Sequence, residues 1–358
     1  MDVLDYSSWT VMAILSPAFR GAAHGGQEYV GSGDMLLEYC RRMGGEIPLL
    51  KLILKSDFLD SVDRKLDGKE GLGSAHPLSV HEARSILREV AHESADSLTG
   101  RHVAVLPTWT AGAVKVLADA RSTSEERGIP WVGDREVLTA LLMSEGTTAS
   151  AFLARSGINR SDLLLKVGRL EPFQGKRPWA PAIDSLEMTG VLRVNMMSRF
   201  LGWPIHVVSR KVNGRSFGLL STLEGEATRQ AVREGSAGVQ AEQVVLGAAS
   251  IFHQLALSKI SEPEELHNSR TVLERYGLSY ADLSLRVVHS ARSVRSQLNG
   301  EPLSVQARPP VASPEVAMAF ELLRGLVAQG NSCIQVLESL FAIPQVTAAI
   351  AALTADQP

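Results

Sequence analysis

His81 and His92 each open a stretch that begins like a zinc-protease motif, "HEARS" at 81–85 and "HESAD" at 92–96. Neither has the second histidine four residues on that would put two imidazoles on one helix face around a metal. The two histidines lie about three helical turns apart, so they share a face but cannot share an ion. They read as solvated helix residues, and no metal is expected. The stretch "GRLEPFQGKRPW" at 168–179 imitates a phosphate-binding loop, yet has six residues between its glycines instead of four. Arg177 then stands where a magnesium-binding hydroxyl is needed. It is no nucleotide site. No Gly-x-Ser-x-Gly elbow occurs, and Cys40 and Cys333 lie in no recognisable nucleophile context. No catalytic residue, metal or cofactor can be named.

Trp9-Thr10 and Trp109-Thr110 are the most suggestive pairs, because both read Trp-Thr-x-x-Ala. A tryptophan offers a large apolar face and one donor, which suits recognition, but the same properties suit a core. Both roles stay open for each.

The elements that hold these residues are helices. The chain of 358 residues is long enough for two or three domains. It is 45% hydrophobic and only 5% aromatic, with Leu, Val and Ala dominant. That balance favours helices over a β-sandwich. A net charge of −3 gives no electrostatic footprint for nucleic acid. Two widely spaced cysteines imply free buried thiols in a reducing compartment. "MDVLDYSSWT" does not read as a signal peptide, and no apolar stretch is long enough to span a membrane. A cytoplasmic location follows as an expectation.

From 107 to 168 the periodicity predicts four short helices. Ala113, Val114, Val116 and Leu117 share a face of the first. Val137, Leu138, Leu141 and Leu142 mark the second, with Asp134 as its cap. Ala149, Phe152 and Leu153 lie on a third that stops at Gly157, and Ser161 opens a fourth carrying Leu164 and Val167. The same order occurs earlier. "SSWTVMA" at 7–13 matches "PTWTAGA" at 107–113, and "YVGSGDMLLEYC" at 29–40 matches "WVGDREVLTALL" at 131–142. "IPLLKLILKSDFLDSVDRKL" at 47–66 supplies the last two helices. The interval from Gly31 to Val62 equals that from Gly133 to Leu164.

A looser third copy runs through "LEGEATRQAV" at 223–232, "GVQAEQVVLGAA" at 238–249 and "SRTVLERYGLSYADLSLRVV" at 269–288, with an insertion around "HQLALSKISEPEELHN". A truncated fourth spans 313–353. Between the first two copies, 78–98 reads as an added helix. Ser79 and Glu82 form its capping box, and Val80, Ala83, Ile86, Leu87 and Val90 form its apolar face. The Pro-rich stretch "EPFQGKRPWAPA" at 171–182 marks a domain boundary. Asn213-Gly214, between β-favouring runs in 203–220, suggests a small hairpin. The acidic runs "EGE" at 224–226 and "SEPEEL" at 261–266 read as a helix start and a loop.

The repeated unit resembles the N-terminal repeat of the Clp unfoldases, of the ClpC and ClpA type. There each repeat opens with Phe-Thr-x-x-Ala and continues to a Tyr-Ile-Gly-Thr-Glu-His-Leu-Leu helix. Here Trp9-Thr10 and Trp109-Thr110 stand in for the first. Tyr29-Val30-Gly31-Ser32 and Trp131-Val132-Gly133-Asp134 stand in for the second. Phe152-Leu153-Ala154-Arg155-Ser156-Gly157 and Val272-Leu273-Glu274-Arg275-Tyr276-Gly277 match the third helix. The resemblance covers roughly two thirds of the chain.

It implies an all-α fold of duplicated four-helix repeats packed about a pseudo-twofold axis, in two tandem domains. The first would span 1–170 and the second 184–358, joined by a linker at 171–183. The family's ATPase modules have no counterpart. The resemblance further implies binding of peptides at the seam between paired repeats, through Trp9, Thr10, Trp109 and Thr110. Of the residues that would meet an arginine-like ligand only Glu242 keeps the acid. Gly33 and Arg135 replace it in the first two copies, and Arg135 would attract a phosphate or carboxylate instead.

The expectation is a non-enzymatic adaptor, decoy or sequestering protein. Its ligands would be peptides or cyclic-peptide antibiotics and its partner a Clp protease complex, with no nucleic acid, membrane or cofactor involved. The competing expectation is an enzyme of secondary metabolism that has taken over the scaffold, with a small-molecule pocket. A purely structural, oligomerising role is a third.

Overall fold

The computed structural model describes residues 5–54, 67, 77–98, 106–170, 178–192, 199–260, 262–290, 303 and 309–355. The side chains of 199–214 are not among them. The protein is mainly helical, with a few two-residue strands. It divides into two units. The first comprises Leu4–Trp179 with Val288–Arg308, and the second Ala180–Val287 with Pro309–Pro358. The division falls between Trp179 and Ala180, inside the predicted linker. Trp179 is tied to the first unit: it donates its backbone N–H to the Tyr6 carbonyl at 2.7 Å and its indole N–H to Glu89 at 2.7 Å. The later segment is also discontinuous. Leu303 pairs with Trp109 through two backbone hydrogen bonds of 2.8 and 3.3 Å, and so belongs to the first unit.

In the first unit, β1 (Asp5–Tyr6) leads into a π-helical turn at Thr10–Leu15 and then α1 (Ser16–His24). Pro17, which has no N–H to donate, sits just past the widened turns. β2 (Tyr29–Val30), α2 (Ser32–Met43), α3 (Leu50–Leu54) and α4 (Pro77–Leu98) follow. Then come β3 (Thr108–Trp109), α5 (Ala111–Glu126), β4 (Trp131–Val132), α6 (Asp134–Met143), α7 (Thr148–Ser156) and α8 (Arg160–Gly168). β1 pairs in parallel with β4, and β2 with β3, so each short sheet ties an early segment to a late one. Most of the helices predicted at 47–66 lies outside the described residues.

The four helices predicted between 107 and 168 are present, and Gly157 ends α7 in the left-handed conformation that glycine favours (φ 66°). Asp134 is the first residue of α6, not its cap: Gly133 holds that position, and Asp134 accepts the Thr10 hydroxyl at 2.8 Å. Asn159, one step earlier than expected for the start at Ser161, caps α8.

Helix α4 buries the predicted face, Val80, Ala83, Ile86, Leu87 and Val90. The helix already runs from Pro77, so Ser79 lies inside its first turn and not at the cap position that the expected box requires. Glu82 instead forms a buried ion pair with Arg121 of α5, and the Ser79 and Ser122 hydroxyls lie 3.3 Å apart.

The second unit opens with α9 (Pro181–Met188) and α10 (Arg199–Glu234), then β5 (Gly238–Val239), α11 (Ala241–Ser258), α12 (Glu264–Arg275) and α13 (Tyr280–Ser290). It closes with β6 (Val311–Ala312), α14 (Pro314–Ala328), α15 (Cys333–Phe341) and α16 (Pro344–Thr354). β5 and β6 pair in parallel.

The hairpin predicted at Asn213-Gly214 is absent, and a single helix of 36 residues runs through it. One glycine in a helix costs only about 1 kcal/mol. Buried Leu219, Leu220, Leu223, Ala227 and Ala231 farther along α10 outweigh that. The "EGE" run sits inside this helix as well. Glu226 is buried and accepts hydrogen bonds from Ser250 at 2.9 Å and Gln254 at 3.1 Å, with Arg229 at 3.1 Å. At the crossing of α10 and α11, a β-carbon on Gly247 would lie 2.8 Å from the Ala227 nitrogen, so only glycine lets the two backbones come this close. Much of the predicted insertion after 252 is the continuation of α11 to Ser258.

Candidate functional site

In the second unit, the first turns of α11, α14 and α16 and the end of α15 enclose a cavity of about 370 Å³. This lies within the range of small-ligand and side-chain pockets, ~300–1,000 Å³. Val244, Val316, Phe320, Leu340 and Val346 line it, all buried, so the floor is apolar. Gln240, Glu242, Glu315 and Gln345 also line it and are exposed, which puts polar groups at the mouth. Local capping explains why these residues gather. The Ser313 hydroxyl accepts the Val316 N–H at 3.3 Å and starts α14, and Gln243 folds back onto the Gln240 N–H at 2.8 Å to start α11. The result is a greasy slot with two carboxylates beside it. It can hold an apolar side chain and an adjacent cation. Beyond the slot, Val311 and Met318 are more than 70% exposed, and Leu322, one turn beyond Met318, is also exposed.

Glu242, a sequence-nominated residue, borders this cavity. The other five nominees lie in the first unit. Trp109 has no exposed surface; it stacks on Phe19 with ring centres 5.6 Å apart and donates its indole N–H to the Leu87 carbonyl at 3.0 Å. Of its two possible roles, packing is the one it performs, since a peptide cannot reach it. Trp9 is half-buried against Tyr39, at 5.9 Å. Thr10 is buried, and its hydroxyl donates to Asp134 at 2.8 Å. Thr110 is buried, caps α5 and donates to Asp67 at 2.6 Å. Arg135 gives its Nε–H to Glu136 at 3.1 Å. Because Glu136 is 1% exposed, that guanidinium compensates a buried charge.

Asp67 was not anticipated. It is 3% exposed, and the first turns of α2, α5 and α7 converge on it. A lone aspartate after an apolar run carries no sequence signal of its own. The small residues around its partners, Gly31-Ser32-Gly33 and Gly112, were the only clue.

Neither cysteine is poised for chemistry. Both are free and buried. Burial pushes the Cys40 thiol up to about 12, and burial together with nearby Glu265 raises that of Cys333. Among the described residues no three His, Cys, Asp or Glu side chains cluster as metal ligands. No single helix among them is long and apolar enough to cross a membrane.

Comparison of the chain with protein-family models, with curated proteins and with solved structures returned no match. What the geometry defines is a class, a helical protein with an apolar, acid-rimmed groove among its described residues.

Proposed function

We propose that the chain is a non-enzymatic binding protein, and that the groove of the second unit receives a peptide segment. An apolar side chain of the ligand fills the slot over Phe320 and Leu340, and a neighbouring Lys or Arg meets Glu242 and Glu315. The observation that carries this reading is the coincidence of a 370 Å³ apolar slot with two exposed carboxylates. A slot that small selects one or two side chains, not a folded partner.

The Clp-like reading is part of the same proposal. The units would be two domains of the Clp N-terminal kind without the motor, acting in the cytoplasm as adaptor, decoy or sequestering protein for Clp-targeting peptides or antibiotics. Its support is the reciprocal strand pairing in the first unit. The segment that leads into the first helix of each copy joins the glycine motif of the other, β1 with β4 and β3 with β2. In register Tyr6 lies beside Val132 as Trp109 lies beside Val30, three residues ahead of the Trp9 that the sequence match aligns with Trp109. Two copies related by an approximate dyad would pair in that way. In the second unit, β5 and β6 repeat one of these pairings.

Calorimetric titration with a Leu-Arg-rich peptide and its Leu-Glu twin tests the proposal. Each exposed ion pair is worth about 0.2–1 kcal/mol, so Glu242→Gln with Glu315→Gln should weaken the basic peptide by roughly 2- to 30-fold. Equal affinity for both peptides, or an affinity the double variant leaves unchanged, would refute it.

A further inference from the structure

In the first unit the place where three helix N-termini meet is filled. The Asp67 carboxylate accepts four hydrogen bonds, two at each oxygen. Oδ1 takes the Ser32 hydroxyl at 2.9 Å and the Thr148 N–H at 2.7 Å. Oδ2 takes the Ser32 N–H at 2.7 Å and the Thr110 hydroxyl at 2.6 Å. Its backbone carbonyl accepts the Gly112 N–H at 3.1 Å. All four carboxylate donors are neutral, and they come from the first turns of α2, α7 and α5, where helix dipoles favour a negative group. Those helices have 12, 9 and 16 residues.

The surrounding backbone is cut to fit this group. A β-carbon on Gly112 would lie 2.1 Å from Oδ1, and one on Gly31 would lie 2.5 Å from Oδ2. Two glycines thus leave room for carboxylate oxygens and for nothing larger. In the second unit, the N-termini of α11, α14 and α16 also converge, and there they surround an open groove.

We infer that Asp67 is the built-in ligand of a carboxylate-binding site, held by Ser32, Thr110 and Thr148, and that it keeps the first unit closed. The seat takes a flat group with two oxygens, each with two donors in reach. Without Asp67 it would accept the carboxylate of an acidic side chain or of a chain terminus. With Asp67 in place the seat is filled. The inference is independent of the groove reading and survives its failure.

The test is an Asp67→Gly variant of the full chain, with acetate as the probe against chloride at equal ionic strength. The variant should melt lower than the parent in chloride and regain stability saturably in acetate. A dissociation constant of about 10 mM would raise its folded-to-unfolded ratio roughly elevenfold at about 100 mM acetate. The parent should respond equally to the two salts. A variant that melts like the parent, or that responds equally to acetate and chloride, overturns the inference. Should Asp67→Gly not fold in chloride, recovery from denaturant is compared in the two salts for it and for Asp67→Asn. Better recovery in acetate supports the site, and equal recovery overturns it.

Discussion

Replacing Trp109 by alanine should unfold the first unit far more readily than the same change at Trp9, although both open the same five-residue phrase. Trp109 is fully enclosed, and truncation removes about 200 Å² of buried apolar surface. At ~25 cal/mol per Å² that is about 5 kcal/mol. A compact denatured state already hides 10–40% of such surface, which leaves roughly 3–4.5 kcal/mol, in line with aromatic-to-alanine changes in other cores. The lost stacking on Phe19 adds about 0.5–1.5 kcal/mol. Trp9 is only half-buried and retains part of its solvent contact in the folded state, so about 1–2 kcal/mol is expected there. Denaturant unfolding followed by fluorescence and by circular dichroism gives both numbers. If Trp109→Ala costs less than about 1 kcal/mol, or no more than Trp9→Ala, the assignment of Trp109 to the core is wrong.

Three further outcomes follow from the same structure. Cys40, pushed to about 12, is more than a thousandfold less thiolate near pH 8 than an ordinary cysteine of about 8.5. A disulfide reagent at pH 8 should therefore modify neither it nor Cys333 until the protein is denatured, and rapid labelling of the native chain would contradict the burial. Arg121→Met should cost about 3–5 kcal/mol by removing the ion-pair partner of the buried Glu82, while the double change Arg121→Met with Glu82→Leu should recover most of it. If the double variant is as unstable as the single one, the Glu82 charge is not the cause. Gly247→Ala should be destabilising by more than about 1 kcal/mol despite alanine's better helix propensity, because the new methyl meets the α10 backbone. A stabilised variant in thermal unfolding would show that the two helices can part freely.

Much of the helical layout was readable because its signals are local. Apolar spacing of three and four gave α4 to α8, and Gly157 gave the end of α7. What escaped depends on contacts far along the chain. Asn213-Gly214 looks like a turn by its own chemistry, yet it lies within a helix whose later residues are packed into the second unit's core. Leu303 crosses back to Trp109, and no period or composition marks that step. The site was legible only in part. Glu242 stood out because, of the three positions that the resemblance aligns, it alone is acidic. Glu315, its neighbour at the groove, reads on its own as an ordinary first-turn helix acid.

An acid at position 33 is excluded for a physical reason. A β-carbon there would lie 2.6 Å from the Phe152 ring and 3.0 Å from the Thr148 hydroxyl, which accepts the Gly33 N–H at 2.8 Å. A glutamate at 33 would push α7 off α2 and break the seat that Thr148 completes for Asp67. Substituting an acid at this position is therefore incompatible with the closed arrangement. At the start of α11, by contrast, Gln240-Ala241-Glu242 carries side chains that border open space. The same kind of helix start can be turned inward to satisfy an internal anion or outward to border an open cavity. In this chain glycine and serine select the first in one unit, and glutamine and glutamate the second in the other.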